Sequence, residues 1–85
     1  MNISYSKYFL KQAKKLPSRV REQLVERVER FSKNSFDPLL HNHVLKGAYK
    51  AYGSINITGD YRALYLIRGE EIVFDQVGTH AQLYE

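Results

Sequence analysis

The sequence predicts an α+β fold: an antiparallel helical hairpin packed on one face of a small, mainly antiparallel sheet, in the order β-α-α-β-β-β. Three observations predict it. Apolar residues recur with a helical period through most of residues 7–33. Residues 46–77 instead form β-rich runs bounded by glycine turns. A short alternating run precedes the helices.

The elements follow in order. Asn2-Ile3-Ser4-Tyr5 alternates polar and apolar side chains, as a short strand does. Ser6 can cap the next element by accepting from the backbone of its first turn. Phe9, Ala13 and Leu16 then give one apolar helical stripe, which the four surrounding lysines leave clear. Pro17-Ser18 breaks that helix and starts another, with Ser18 as the expected N-cap. In the second helix Val20, Leu24, Val28 and Phe31 recur at i, i+4, i+8 and i+11, the strongest helical signal in the chain. Glu26 with Arg30, and Glu29 with Lys33, add i,i+4 pairs in the favourable orientation.

Residues 34–42 read as a loop, with Asn34, Ser35, Asp37 and Pro38 as breakers and Leu39 and Leu40 tucked into the core edge. Ser54-Ile55-Asn56-Ile57-Thr58 alternates as a strand, and Thr58-Gly59-Asp60 supplies a turn. Residues 61–67 are apolar on both faces, which predicts a central strand. Arg68-Gly69-Glu70-Glu71 is a second turn, and residues 72–77 form the last strand of an antiparallel meander. The tail after Gly78 has room for one helical turn. The sheet face away from the helices is expected to have no cover within the chain and to be open to partners and substrate.

Eighty-five residues, 44% hydrophobic and 13% aromatic, suffice for one domain with one small core. The absence of cysteine excludes a disulfide framework and thiolate metal sites. No apolar run approaches the roughly 20 residues that span a bilayer. Residues 1–15 are interrupted by Lys7, Lys11, Lys14 and Lys15 and lack a signal-peptide core, so the expected compartment is the cytoplasm. Charge is uneven. Residues 1–33 carry nine Lys/Arg and three Glu, a net +6; residues 34–85 carry four Lys/Arg and six Asp/Glu, a net −2. The basic half suggests an anionic partner, nucleic acid first.

The chemistry centres on Gly59-Asp60-Tyr61-Arg62-Ala63-Leu64-Tyr65. Asp60 and Arg62, if both extended, point the same way. A guanidinium in an apolar strand needs the open face or a carboxylate such as Asp60, and it suits phosphate. His43 lies upstream, beside Lys46 and Lys50, and His80 follows the last strand. Histidine is the usual neutral-pH proton carrier. A metal site of His41, His43 and His80 is weak, because no third ligand stands at defined spacing. A metal-free ribonuclease needs a base for the ribose 2′-OH, a cation for the phosphate and an acid for the leaving 5′-oxygen. His43 or Asp60, Arg62 and His80 fill those roles without a cofactor. Tyr84 could stack on a base.

The chain resembles the RelE/ParE toxin superfamily, and within it the YafQ-like mRNA interferases. The matches are His43-x-Leu45-x-Gly47, Lys50-x-Tyr52, Asp60-Tyr61-Arg62-x-Leu64-Tyr65 and Val77-Gly78-Thr79-His80-Ala81-x-Leu83-Tyr84. The Gly-Thr-His-x-x-Leu-aromatic ending is the most distinctive, and the resemblance covers nearly the whole chain, 1–85. It implies a RelE-like fold and the toxin of a type II toxin–antitoxin pair. Such a toxin cuts mRNA in the ribosomal A site by 2′-OH attack, leaving a cyclic phosphate and a 5′-OH. By position His80 resembles the general acid. His43 and Asp60 match active-site positions, with His43 ahead of Asp60 as base, and Tyr84 matches a residue that holds substrate. Arg62 as the phosphate cation follows the wider superfamily. The basic helices, Lys46 and Lys50 would face ribosomal RNA, and a cognate antitoxin would form a heterotetramer or larger complex. The chain departs from the YafQ-like pattern twice: Asn56 stands where a histidine is expected, and Gly53 where an arginine is. Asn56 could orient substrate by hydrogen bonding. The superfamily also contains ParE-like toxins that poison DNA gyrase, the rival reading; an inactive antitoxin-binding relic is the third.

Overall fold

The computed structural model describes residues 2–47 and 51–84. Strand β1 (Asn2–Tyr5) leads into helices α1 (Lys7–Lys14) and α2 (Ser18–Lys33). A 3-10 turn at Pro38–Leu40 precedes strands β2 (His43–Val44), β3 (Tyr52–Asn56), β4 (Tyr61–Arg68) and β5 (Glu71–Thr79), and helix α3 (His80–Tyr84) follows β5. The sheet order is β1-β5-β4-β3-β2. β1 runs parallel to β5, and the other neighbours are antiparallel. The doubly apolar β4 is central, as its composition requires.

Ser6 caps α1 as expected: its Oγ accepts from the Phe9 N–H at 3.0 Å and donates to the Asp75 carbonyl at 3.1 Å, tying the helix start to β5. In α2 the cap position falls on Pro17, one residue before the expected Ser18, and no side chain caps that end. The two i,i+4 pairs form, Glu26–Arg30 at 2.9 Å and Glu29–Lys33 at 3.2 Å.

Phe9, Leu16, Leu24 and Phe31 bury against Ile55, Ile57, Ala63, Tyr65, Phe74 and Val77 on one sheet face. Phe31 is the hub, with its ring 5.1 Å from Tyr65 and 5.4 Å from Phe74. Phe74 and Val77 are three residues apart, so strict alternation would send them to opposite faces. A β-bulge reconciles them. Leu64 pairs with Gln76 and Tyr65 with Phe74, leaving Asp75 as the extra residue. The bulge also sends Gln76 and Gly78 to the outer face, beside Leu64 and Arg62.

Four expectations need correction. β3 ends at Asn56, not Thr58, because the Thr58 hydroxyl accepts from the Asp60 and Tyr61 N–H groups and locks the turn. His43–Val44, outside the expected meander, adds an edge strand to β3. Leu40 is fully buried, but Leu39 stays 54% exposed. The outer sheet face is partly covered from within the chain. α3 packs on β5. Leu64 and Leu83 are both buried yet lie outside the main core cluster, as alternation requires of Leu64. Among the described residues no helix is long and apolar enough to cross a membrane.

Candidate active site on the outer sheet face

The outer face is built in rows across the sheet. Asn56 on β3 pairs with Arg62 on β4, which pairs with Gly78 on β5. The next row runs His43, Ser54, Leu64, Gln76. Above these rows lies an open cleft of ≈ 540 Å³ lined by His41, His43, Leu45, Ser54, Asn56, Arg62, His80 and Tyr84. Among the described residues its lining holds no carboxylate, but one guanidinium and three imidazoles. The cleft therefore suits an anion.

His80 is placed by backbone hydrogen bonds and a cap. Thr79 and Gln82 form a reciprocal capping box: Thr79 Oγ1 accepts from the Gln82 N–H at 3.1 Å, and Gln82 Oε1 accepts from the Thr79 N–H at 2.8 Å. The His80 N–H donates to the Asp60 carbonyl at 3.0 Å, fastening the start of α3 to the β3–β4 turn. His80 and Tyr84 fall on one side of α3, with ring centroids 4.5 Å apart. The Tyr84 hydroxyl lies 3.4 Å from Oγ of Ser54, a fully buried polar side chain beneath the cleft.

His43 enters from the opposite side. Its Nδ1 lies 2.8 Å from the His41 carbonyl oxygen. A carbonyl only accepts, so Nδ1 carries the proton, and Nε2 of the neutral ring holds the free lone pair. His41 itself has a left-handed backbone at φ 46°, which turns its carbonyl out of the preceding 3-10 turn. Arg62 sits between the histidines. Its Nη1 donates to the carbonyls of Thr58 (3.0 Å), Gly59 (3.2 Å) and Tyr61 (3.1 Å). Among the described residues its other guanidinium nitrogens make no hydrogen bond, which leaves donors for an anion.

The structure thus brings His43, Arg62, His80, Asn56 and Tyr84 to one cleft and adds His41, Leu45 and Ser54. Asp60 is exposed in the turn and does not line the cleft. It precedes β4 rather than extending with it, so its carboxylate and Arg62 do not share a strand face, and among the described residues they form no ion pair. Lys46 is exposed beside Leu45, outside the lining, and Lys50 lies outside the described residues. The capping box is a signal that sequence reading could have used, since Thr79-x-x-Gln82 has its spacing. Among the described residues no group of three or more His, Cys, Asp or Glu is placed to hold a metal ion.

The profile of the family described as bacterial toxin of type II toxin-antitoxin system, YafQ, matches residues 1–85. The chain belongs to the YafQ toxin family. Solved structures share its fold. YafQ from E. coli superposes with TM-score 0.84 at 23% identity, covering 99% of this chain and 98% of that one. The YoeB/ParE toxin from Agrobacterium tumefaciens gives 0.78 at 20% identity, covering 94% and 99%. The E. coli DinJ-YafQ toxin-antitoxin complex gives 0.77 at 24% identity, covering 99% and 97%. No curated sequence matches the chain.

The two departures from the YafQ-like pattern have different consequences. Asn56 lines the cleft, so an amide stands there in place of an imidazole. Gly53 faces the core instead. A Cβ built on it falls 2.5 Å from Cε2 of Tyr65 and nearer still to Cζ and Oη. A side chain at this position would therefore meet the core and not the cleft.

Proposed function

We propose that this YafQ-family toxin is a metal-free endoribonuclease that cuts mRNA in the ribosomal A site. The observation that carries the proposal is that His43 and His80 line a single cleft, with β3 and β4 between β2, which carries His43, and β5, which leads into His80, and with Arg62 on β4. Phosphoryl transfer places the attacking and leaving oxygens roughly in line. A base and an acid on opposite sides of an anchored phosphate meet that need.

His43 Nε2 takes the proton of the ribose 2′-OH, and the 2′-oxygen attacks phosphorus. Arg62 takes up the charge that builds on the non-bridging oxygens. The bond from phosphorus to the 5′-oxygen breaks, and His80 donates a proton to that oxygen. The products are a 2′,3′-cyclic phosphate and a 5′-OH. Asp60 contributes through its carbonyl, which holds the His80 backbone, while its carboxylate, exposed in the turn outside the cleft lining, leaves His43 as the base. Tyr84 stacks on a base of the substrate, Asn56 hydrogen-bonds to it, and Lys46 lies along the phosphate backbone. The protein acts in the cytoplasm, where the ribosome positions the mRNA. A cognate antitoxin neutralises the toxin by covering the cleft; the complex of E. coli YafQ with DinJ supports that partner.

The test is primer extension on a reporter mRNA after brief induction, with His80→Ala alongside. General acid–base groups contribute about 10²–10⁴-fold, so the variant should lose the cuts and the growth arrest while keeping its fold. Growth arrest with intact mRNA, or cuts that persist in His80→Ala, would overturn the reading. Intact mRNA with arrest would point to gyrase inhibition.

A further inference from the structure

A second recess lies beside the cleft, across α3. This groove, ≈ 390 Å³, is lined by α1 and its C-terminal cap (Tyr8, Lys11, Gln12, Lys15) and by Tyr61 and Gln82 among others. It abuts the active site. Gln82 lines the groove while His80 and Tyr84, on the same short helix, line the cleft; Tyr61 lines the groove while its neighbour Arg62 lines the cleft.

The groove is positive and not neutralised. Among the described residues none that lines it is acidic. Among the described residues, Lys11 and Lys15 enter no ion pair, whereas Arg27, Arg30 and Lys33 of α2 are paired with Glu26, Glu29 or Asp37. The two basic helices are therefore not equivalent: α2 uses much of its charge within the chain, and α1 presents its charge outward. Tyr8 is 57% exposed beside these lysines, and Tyr61 is half-buried. The wall is held in place, because Gln12 Oε1 accepts from the Val77 N–H at 2.7 Å and so fixes α1 against β5.

We propose that this groove binds single-stranded RNA, holding the nucleotides that flank the one in the cleft. Aromatic faces between lysines are the arrangement that takes stacked, unpaired bases and their phosphates. A duplex keeps its bases stacked on each other and offers none to Tyr8. The identity of the RNA as substrate rests on the ribonuclease reading; the binding itself does not.

The test is fluorescence anisotropy with a short single-stranded 2′-O-methyl oligoribonucleotide, which 2′-OH attack cannot cut, titrated over a range of salt. Single-strand contacts contribute about 0.7 to the salt slope per phosphate. Lys11→Gln with Lys15→Gln should lower the slope by about 1.4, which is about 25-fold weaker binding at 0.1 M salt. Tyr8→Ala should weaken binding about 5- to 150-fold. Lys33→Gln, whose ammonium is already paired with Glu29, removes charge elsewhere and should leave the slope unchanged. Circular dichroism checks each fold. An unchanged slope in the double lysine variant, equal binding of a duplex of the same length, or no binding by the wild type would each overturn the groove assignment. None of those results bears on cleavage, which the His80→Ala primer extension decides separately.

Discussion

Gly53→Ala tests whether the arginine-to-glycine departure belongs to the core rather than to the cleft. The new methyl would overlap the outer end of the Tyr65 ring. That ring is 6% exposed and cannot swing into solvent without leaving the core. Moving it gives up the Tyr65–Asn42 hydrogen bond (2.6 Å), about 1 kcal/mol. It also loosens ring contacts with Phe31 at 5.1 Å and Phe74 at 5.9 Å, about 0.5–1.5 kcal/mol each. Together these losses come to about 2–4 kcal/mol, and replacing glycine returns about 0.4–1 kcal/mol through the unfolded chain. The net expectation is a loss of about 1–3 kcal/mol. An 85-residue domain has about 4–13 kcal/mol of stability, so this is a large fraction. At about 4–8 °C per kcal/mol, thermal melting should drop by roughly 5–20 °C. The assay is thermal and urea unfolding of Gly53→Ala, Tyr65→Leu and the double variant. In the Tyr65→Leu background the alanine should cost at least about 1 kcal/mol less. A single variant melting within about 2 °C of wild type, or purely additive losses, would refute the reasoning. Gly53→Arg should unfold the protein rather than add a cation to the cleft.

Arg62→Ala should lower stability by about 1–3 kcal/mol in urea unfolding, because Nη1 holds the Thr58 and Gly59 carbonyls of the turn and that of Tyr61 at the start of β4, as well as abolishing cleavage. Cleavage lost with stability unchanged would assign Arg62 to the phosphate alone. The Leu39 N–H and the Arg30 guanidinium hold the Asp37 carboxyl below its usual 3.8. Its contribution is then present above the unfolded value and lost as pH falls through the folded one. Asp37→Asn should therefore lower the urea midpoint near neutral pH and leave it closer to wild type near pH 3; an equal deficit at both would contradict this. Burial pushes the Tyr65 phenol above its usual 10.0, so its contribution is full below that value and lost as pH rises through the folded one. Tyr65→Phe should flatten the alkaline loss of stability, and an unchanged alkaline limb would contradict that.

The sequence by itself determined the helical hairpin, the meander and the central place of residues 61–67. These depend on periods of 3.6 and 2 that neighbouring residues impose locally. It also marked His43, Arg62, His80, Asn56 and Tyr84, because their residue types carry the chemistry and the resemblance carries their positions. Only the tertiary structure decided which faces and edges meet. The bulge at Asp75 re-phases β5 and puts Gly78, not Val77, beside Arg62. The Thr58 hydroxyl ends β3 early and leaves Asp60 in a turn, so its carbonyl rather than its carboxylate reaches His80. Gly53 turns to Tyr65, and β2 carries His43 to the cleft edge. Register across strands is set by packing between residues far apart in the chain, and a one-residue slip reverses the face of every side chain that follows. Local patterns in this sequence carry no record of that slip, which is why several members of the candidate site were legible and its geometry was not.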